Sequence, residues 1–572
     1  MRYLIPIALL LSLGVVPLQS QDKPLPPPKA FTPETKSATD VLPDLLLPEY
    51  VITGSEMVSF IEDRKGALDE PDSQAFTARA GRGEREQRFY DTAPTRMPLR
   101  KAALTGSEER FLLKAGYGSF ATPHVQVWYG NRYQLGDITA HALYESSDGH
   151  VSHADYSRFG FDVAGGTYLP KHLHPLLASS RLQAEFHADV QEYGLFADRL
   201  DIAIPQPDFR RNLVDMNGRI DLISRRNRVL DHQLSLVFGH LDLEEELGVR
   251  DTLQLSDYEA LETRVGLEGR AMIRQAPLPL DTRFALHVNE LGDSDADATR
   301  PFFLETGAAA TYQFSDGLWL DGDLAMYHFR GSDHASQFRL YPSLTVRYLY
   351  SDSWTFRVGY VPTVDEQTLS GFRRLNPYLM LASEIRHTDI PIRLEAGAEF
   401  DDRKSTSGRV RLSYLRSGSW ARFSLLPDPV LQQWDVLYNG WSSIGEVQGD
   451  FAHSFSSRTQ LQSRAVFRYS GSDELDGSIP YLPDYEFRLL LRHEFPFDLS
   501  LQTTVQLVGE RSTGTDDNLS AWMLLGMQLE YRFMKQAGLF LRADNLLDQK
   551  YQLWNGYRER PFFILGGIVF RF

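Results

Sequence analysis

The chain has 572 residues, 42% hydrophobic, 12% aromatic and 24% charged, a balance that excludes a disordered polypeptide; 26 Tyr, 34 Phe and 42 Gly lean towards β-structure. A mean hydropathy of −0.32 excludes a bundle of apolar membrane helices, and a net charge of −17 argues against a nucleic-acid partner, which needs concentrated positive charge. The absence of Cys removes disulfides, thiolate metal sites, thiol nucleophiles and a lipoprotein anchor together.

Residues 1–20 read as a secretory signal: Arg2, an apolar run from Tyr3 to Val16, then Pro17 to Ser20 before a cut at Gln21. The run is shorter than the ~20 apolar residues of a spanning helix. Residues 21–105 form a Pro-rich, polar segment that buries little by itself. Its apolar island at residues 45–54, with Glu49, Tyr50, Val51, Ile52 and Thr53, has the extended, β-branched character of a strand that adds to a partner's sheet edge or packs on its own chain.

From residue 106 to 572 the pattern becomes alternation. Leu182, Ala184, Phe186, Ala188 and Val190 alternate with polar neighbours, as do Ile392, Leu394, Ala396, Ala398 and Phe400, so each set takes one face of a strand. The segments match the ~9 to 11 residues of a tilted membrane strand rather than the ~5 to 6 of a soluble one. Aromatic residues stand near their ends, as at Tyr348 and Tyr350 or Tyr485 and Phe487, where an interfacial girdle belongs. The prediction is all-β: a large transmembrane antiparallel β-barrel of about 22 to 24 strands behind a mostly irregular N-terminal segment.

Short turns are expected at Ser224 to Arg228, Ser315 to Gly317, Ser351 to Ser353, Ser417 to Ser419 and Phe495 to Asp498. They interleave with longer loops at Gly194 to Arg210, Leu241 to Asp257, Asn289 to Pro301, Val364 to Tyr378 and Gly471 to Asp484. An even strand number puts both termini on the short-turn, periplasmic side of an outer membrane.

The last strand is the most specific local feature. Phe562, Ile564, Gly566, Ile568, Phe570 and Phe572 share a face while Arg571 points the other way; with Gly567-x-x-Phe570-x-Phe572 it resembles the signal that barrel-assembly machinery reads in bacterial outer-membrane proteins. A soluble edge strand would blunt such a face with charge. Upstream, Asn545-Leu546-Leu547-Asp548, then Tyr551 and Asn555-Gly556-Tyr557, resemble the closing signature of TonB-dependent receptors, and the island at Glu49 to Thr53 resembles their TonB box.

That resemblance implies a Gram-negative outer-membrane receptor or transporter of a solute. The implied partners are membrane lipid, the assembly machinery, and TonB or another periplasmic protein. The chain departs from the family in two places. Residues 55–105 carry no plug-like series of Gly-rich strands, and Arg558-Glu559-Arg560-Pro561 replaces the Pro-Gly-Arg before the last strand. A barrel this wide is not filled by its own side chains. Three ways of closing it stay open: residues 55–105, with Phe60 to Lys65 and Arg79 to Arg85, fold inside; a separate protein closes it; or the barrel is a non-transporting scaffold in an outer-membrane complex.

Other candidates carry less. Asp293-x-Asp295-x-Asp297 resembles the start of a calcium loop but lacks its Gly and terminal Glu, and it reads as an acidic solvated loop, like Asp242 to Glu246, Asp473 to Asp476 and Asp516–Asp517. His150 and His153 lie a strand's length, ~30 Å, from His172 and His174, too far to share a metal. Arg393, Glu395, Glu399, Arg409 and Arg411 are expected inward, as in any water-filled barrel. With no GxSxG, GxGxxG, Walker or HExxH motif, no enzyme, cofactor or metal site is predicted.

Overall fold

The computed structural model describes residues 111–572, apart from residues 134, 171–176, 178–179, 197–208, 225–229, 248–257, 274–277, 279, 294–297, 381–382, 427–431, 439, 474–476 and 516–517. The leader, the segment at 21–105 and its island therefore lie outside the described residues.

Alternating side chains make one antiparallel sheet of 22 strands. It closes on itself: the first strand, Phe111–Gly118, pairs with the last, Phe563–Arg571, from Leu112 opposite Arg571 to Gly118 opposite Leu565. Phe111 and Phe572 exchange backbone hydrogen bonds of 2.9 Å in both directions. Closure leaves the sheet no free edge. Among the described residues no helix is long and apolar enough to cross a membrane, so the strands alone present the apolar surface.

The two faces sort as the alternation requires. In the last strand Phe563, Leu565, Val569 and Arg571 are buried on the inside, whereas Phe562, Ile564, Ile568 and Phe572 are exposed on the outside. Ile392 and Leu394 are outward and exposed; on the inner face of the same sheet Arg393 meets Glu395 at 2.9 Å and Arg409 meets Glu399 at 3.0 Å. Arg283 bridges Glu305 and Asp323, and Arg347 takes Asp321. Pairing within a strand and between nearby strands offsets the cost of holding these charges in a confined space. Tyr348, Tyr350 and Tyr485 lie on the outer face, exposed.

Glycine is required at the seam. A Cβ on Gly567 would stand 2.1 Å from the Ala115 carbonyl oxygen, and one on Gly116 would stand 2.8 Å from that of Gly566. Side chains there would push the closing strands apart. The turn before the last strand is pinned by its Asn and Asp. Asn545 and Asp548 both adopt positive φ, 48° and 49°. The Asn545 amide bonds the backbone N–H and C=O of Gln549 at 3.0 and 2.9 Å, and Asp548 accepts from Phe562 N at 2.9 Å.

Connections alternate in length. Residues 316–317, 352–353, 457–458 and 495–498 make tight turns at the end that also holds both ends of the described chain; residues 361–391, 418–441, 473–484, 509–521 and 545–562 make the opposite end. Residues 169–180 are a longer connection on the tight-turn side.

Two expectations need correction. Ser417 to Ser419 is not a short turn, because Thr406–Ser417 pairs with Ser442–Ser456; it opens the long connection at 418–441, whose small hairpin Arg422–Leu425 with Trp434–Leu437 imitates barrel alternation. Asp242 to Glu246 are not loop but part of the strand Leu230–Leu247. At 18 residues this strand outruns the ~9 to 11 a bilayer demands, so its outer face is free to turn acidic while Leu241 and Leu243 stay buried inside.

Candidate functional site

The long connections carry too many apolar residues to be solvated loops, and they bury them together. In residues 361–391 a helix, α1 (Leu369–Leu375), starts at Thr368, whose Oγ1 accepts from Gly371 N at 2.9 Å. So short a helix is not stable alone. The barrel wall supplies what it lacks: Glu262 of the strand Tyr258–Ile273 accepts from Leu369 N and Ser370 N at 3.1 and 2.8 Å, satisfying N–H groups that a helix start leaves open. At the other end of α1, Asp215 of the strand Phe209–Ser224 takes Arg374 at 2.8 Å. Leu369 and Phe372 are buried between these anchors.

A third anchor precedes the helix. Glu366 meets Arg264 at 2.5 Å and His287 Nδ1 at 2.6 Å. Burial raises the Glu366 carboxyl, but Arg264 and then His287 outweigh it and hold the group down to about 2. Further along, His387 accepts from Gln367 N at 3.1 Å through Nδ1, and burial pushes its ring below the ordinary histidine range.

Connections from other parts of the ring meet this one. Tyr378 stacks on Tyr557 of residues 545–562 with centroids 3.4 Å apart. Trp554 touches Trp434 and Phe423 of residues 418–441 at 5.3 and 5.2 Å, and Tyr481 of residues 473–484 at 4.6 Å. Polar ties follow: Tyr557 Oη donates to Gln432 O at 3.0 Å, Arg511 to Leu553 O at 3.0 Å, and His150 Nε2 to Arg558 O at 2.8 Å. Burial lowers Arg511 to about 10 and, with the Arg560 charge, lowers His150.

The resulting apolar cluster includes Leu241, Leu243 and Ala260 from one part of the wall and Val508, Trp522 and Leu524 from another, with the connections between them. Wall strands well apart in the ring are thus bridged by a continuous core over the long-connection end. This lid is the candidate functional site. An apolar, close-packed layer of this kind, at one end of a barrel whose inner face carries paired charges, is suited to block water and solutes alike.

The sequence-derived candidates fall in various places. Gly567 lies in the seam, Phe570 on the outer face of the last strand, and Phe572 at its end. Glu49, Tyr50, Val51, Ile52 and Thr53 lie outside the described residues. Asp293 ends the strand Leu280–Asp293, and Asp295 and Asp297 lie outside the described residues, as do His172 and His174. Glu245, read as loop solvation, is instead buried on the wall strand Leu230–Leu247, bound by Arg211 at 2.6 Å. Among the described residues no His, Asp and Glu are grouped to hold a metal. The lid residues Trp434, Trp554 and α1 were missed; the signal was the apolar content of connections that should have been polar.

No family model matches the chain, and no curated protein matches its sequence. Solved structures are similar in fold. The FrpB iron transporter from Neisseria meningitidis, in its F5-1 variant, superposes with a TM-score of 0.63 at 10% identity, covering 82% of this chain and 83% of that one. The ferric-catecholate import receptor Fiu from E. coli K12 gives 0.59 at 10% identity, with 82% of each chain covered. The copper transporter OprC gives 0.60 at 13% identity, with 81% and 80% covered.

Proposed function

We propose that this protein is a Gram-negative outer-membrane barrel of TonB-dependent receptor type, which passes a solute through a lumen closed at its outer end by its own long connections. The lid carries the reading. A scaffold has only to be filled, whereas this closure is a separate layer held to the wall by helix capping and ion pairs, contacts that break and re-form without disturbing the strands. The fold likeness to an iron transporter, a ferric-catecholate import receptor and a copper transporter supports transport and makes a metal complex the favoured cargo. Glu49 to Thr53 would then add as a strand to TonB or another periplasmic protein, and Gly567, Phe570 and Phe572 would be read by the assembly machinery in lipid.

The test is accumulation by cells of radiolabelled ferric catecholate, ferric citrate and copper(II), with the full chain and with residues 49–53 deleted. Transport predicts accumulation of one probe that requires residues 49–53. Accumulation that survives the deletion removes energy coupling, and none at all with the barrel assembled favours the scaffold.

A further inference from the structure

Arg373 stands on α1 with its side chain turned into the lid, 2% exposed, and none of its three guanidinium nitrogens has a hydrogen-bond partner. Its surroundings explain why. Arg211 on the wall has taken the nearby acceptors, donating to Glu245 Oε2 at 2.6 Å and to the Pro377 carbonyl at 2.5 Å. Tyr193 donates to the same carbonyl at 2.8 Å, and Gln433 takes the second Glu245 oxygen at 2.8 Å. Two guanidinium groups therefore share one carboxylate.

Arginine does not escape such a position by losing its proton, and an uncompensated buried charge is among the most destabilising features a protein holds. Burial and the Arg211 charge push the Arg373 guanidinium well below its ordinary range. The next residue shows the contrast: Arg374 is solvent-exposed and paired with Asp215. Lid packing alone would favour an uncharged side chain at 373.

We propose that Arg373 and Arg211 together form a site for an oxyanion, a carboxylate or phosphate group carried by a solute, which supplies the negative charge the closed lid lacks. The proposal deepens the transport reading and rests on the lumen being a solute path. A planar guanidinium fork suits a carboxylate or phosphate through paired N–H donors. Because Arg373 is enclosed, an anion reaches it only when α1 leaves the wall. Held between Arg373 and Arg211, the anion then favours the lid closed over it, so the lifted lid admits the anion and the closed lid retains it.

The test uses the full chain in detergent, with inorganic phosphate and citrate as probes, followed by calorimetric titration and by Trp fluorescence, since Trp434 and Trp554 lie in the lid core. Wild type should bind at least one probe with a change in emission. Arg373→Met should weaken that binding by about tenfold or more and, without probe, should unfold at a higher temperature than wild type, because an apolar side chain replaces an unpaired charge. Arg373→Lys, which keeps the charge and loses the fork, should fall between. Arg300→Gln removes a cation from an exposed pair with Glu290 and should bind as wild type does.

The site is overturned if neither probe binds wild type, if Arg373→Met binds equally well, or if Arg373→Met lowers the unfolding temperature without probe. These outcomes need no solute to cross a membrane. Anion binding through Arg373 in a chain that accumulates no probe would leave the site standing and remove transport; accumulation unchanged by Arg373→Met, with no anion binding, would do the reverse.

Discussion

The seam and the lid are both places where distant parts of the chain meet, and they are built in opposite ways. At the seam, Phe111–Gly118 and Phe563–Arg571 join by a continuous backbone ladder, with glycine where the strands crowd. In the lid, connections join by aromatic packing, single side-chain hydrogen bonds and ion pairs to the wall. A ladder fails as a unit; a lid held by separate anchors gives way in part. The first suits a permanent wall, and the second suits a closure that can open.

The sharpest way to break this contrast is Gly567→Val. With a Cβ only 2.1 Å from a partner carbonyl, the closing strands should fail to pair, and heat-modifiable gel mobility, which reports a closed barrel, should be lost altogether. Next is Trp434→Ala. Trp434 is wholly buried at the centre of the lid, so the lid should lose about 3–5 kcal/mol, seen as fast proteolysis of residues 361–391 while the barrel stays heat-modifiable. Glu262→Ala should loosen α1 by about 1–3 kcal/mol, the penalty for two N–H groups left without their acceptor, with amide exchange at Leu369 and Ser370 as the measurement.

Acidification sharpens the comparison further, since the lid anchors titrate. His387 and His150 have folded values below their unfolded value of 6.5, so each favours the unfolded lid once pH falls below about 6.5. Glu366 acts later: its value is held near 2 against an ordinary 4.5, so its contribution is complete above 4.5 and is lost as pH falls towards 2. Lid proteolysis should therefore quicken in two stages, between pH 6.5 and 5 and again below about 4, with the barrel intact through the first. The smallest effect is expected from Arg300→Ala, which breaks an exposed pair for about 0–1 kcal/mol.

How much of this the sequence announces follows from the same contrast. Strand faces obey a two-residue period, so Leu182 to Val190 or Phe562 to Phe572 declare their orientation locally, and the closing Gly and Phe positions are read without knowing their partners. The lid obeys no period. Tyr378 and Tyr557 stack although they stand 179 positions apart in the chain, with eight of the 22 wall strands between their connections, and only the folded wall sets that distance. The hairpin at Arg422–Leu425 even copies wall alternation, which is why the chain at Ser417 resembles a turn. Arg373 is the extreme case: one more basic residue at the end of a short helix, marked out only by what surrounds it.

The central claim is that the long connections, not the wall, close the lumen. It is tested most directly by single-channel conductance in planar bilayers, comparing the full chain, the chain with residues 361–391 replaced by a short Gly-Ser turn, and the chain lacking residues 21–105. The account predicts that the full chain and the chain lacking residues 21–105 stay shut, while the lid-shortened barrel conducts in large steps. A lid-shortened barrel that stays shut, beside a conducting chain that lacks residues 21–105, would contradict it.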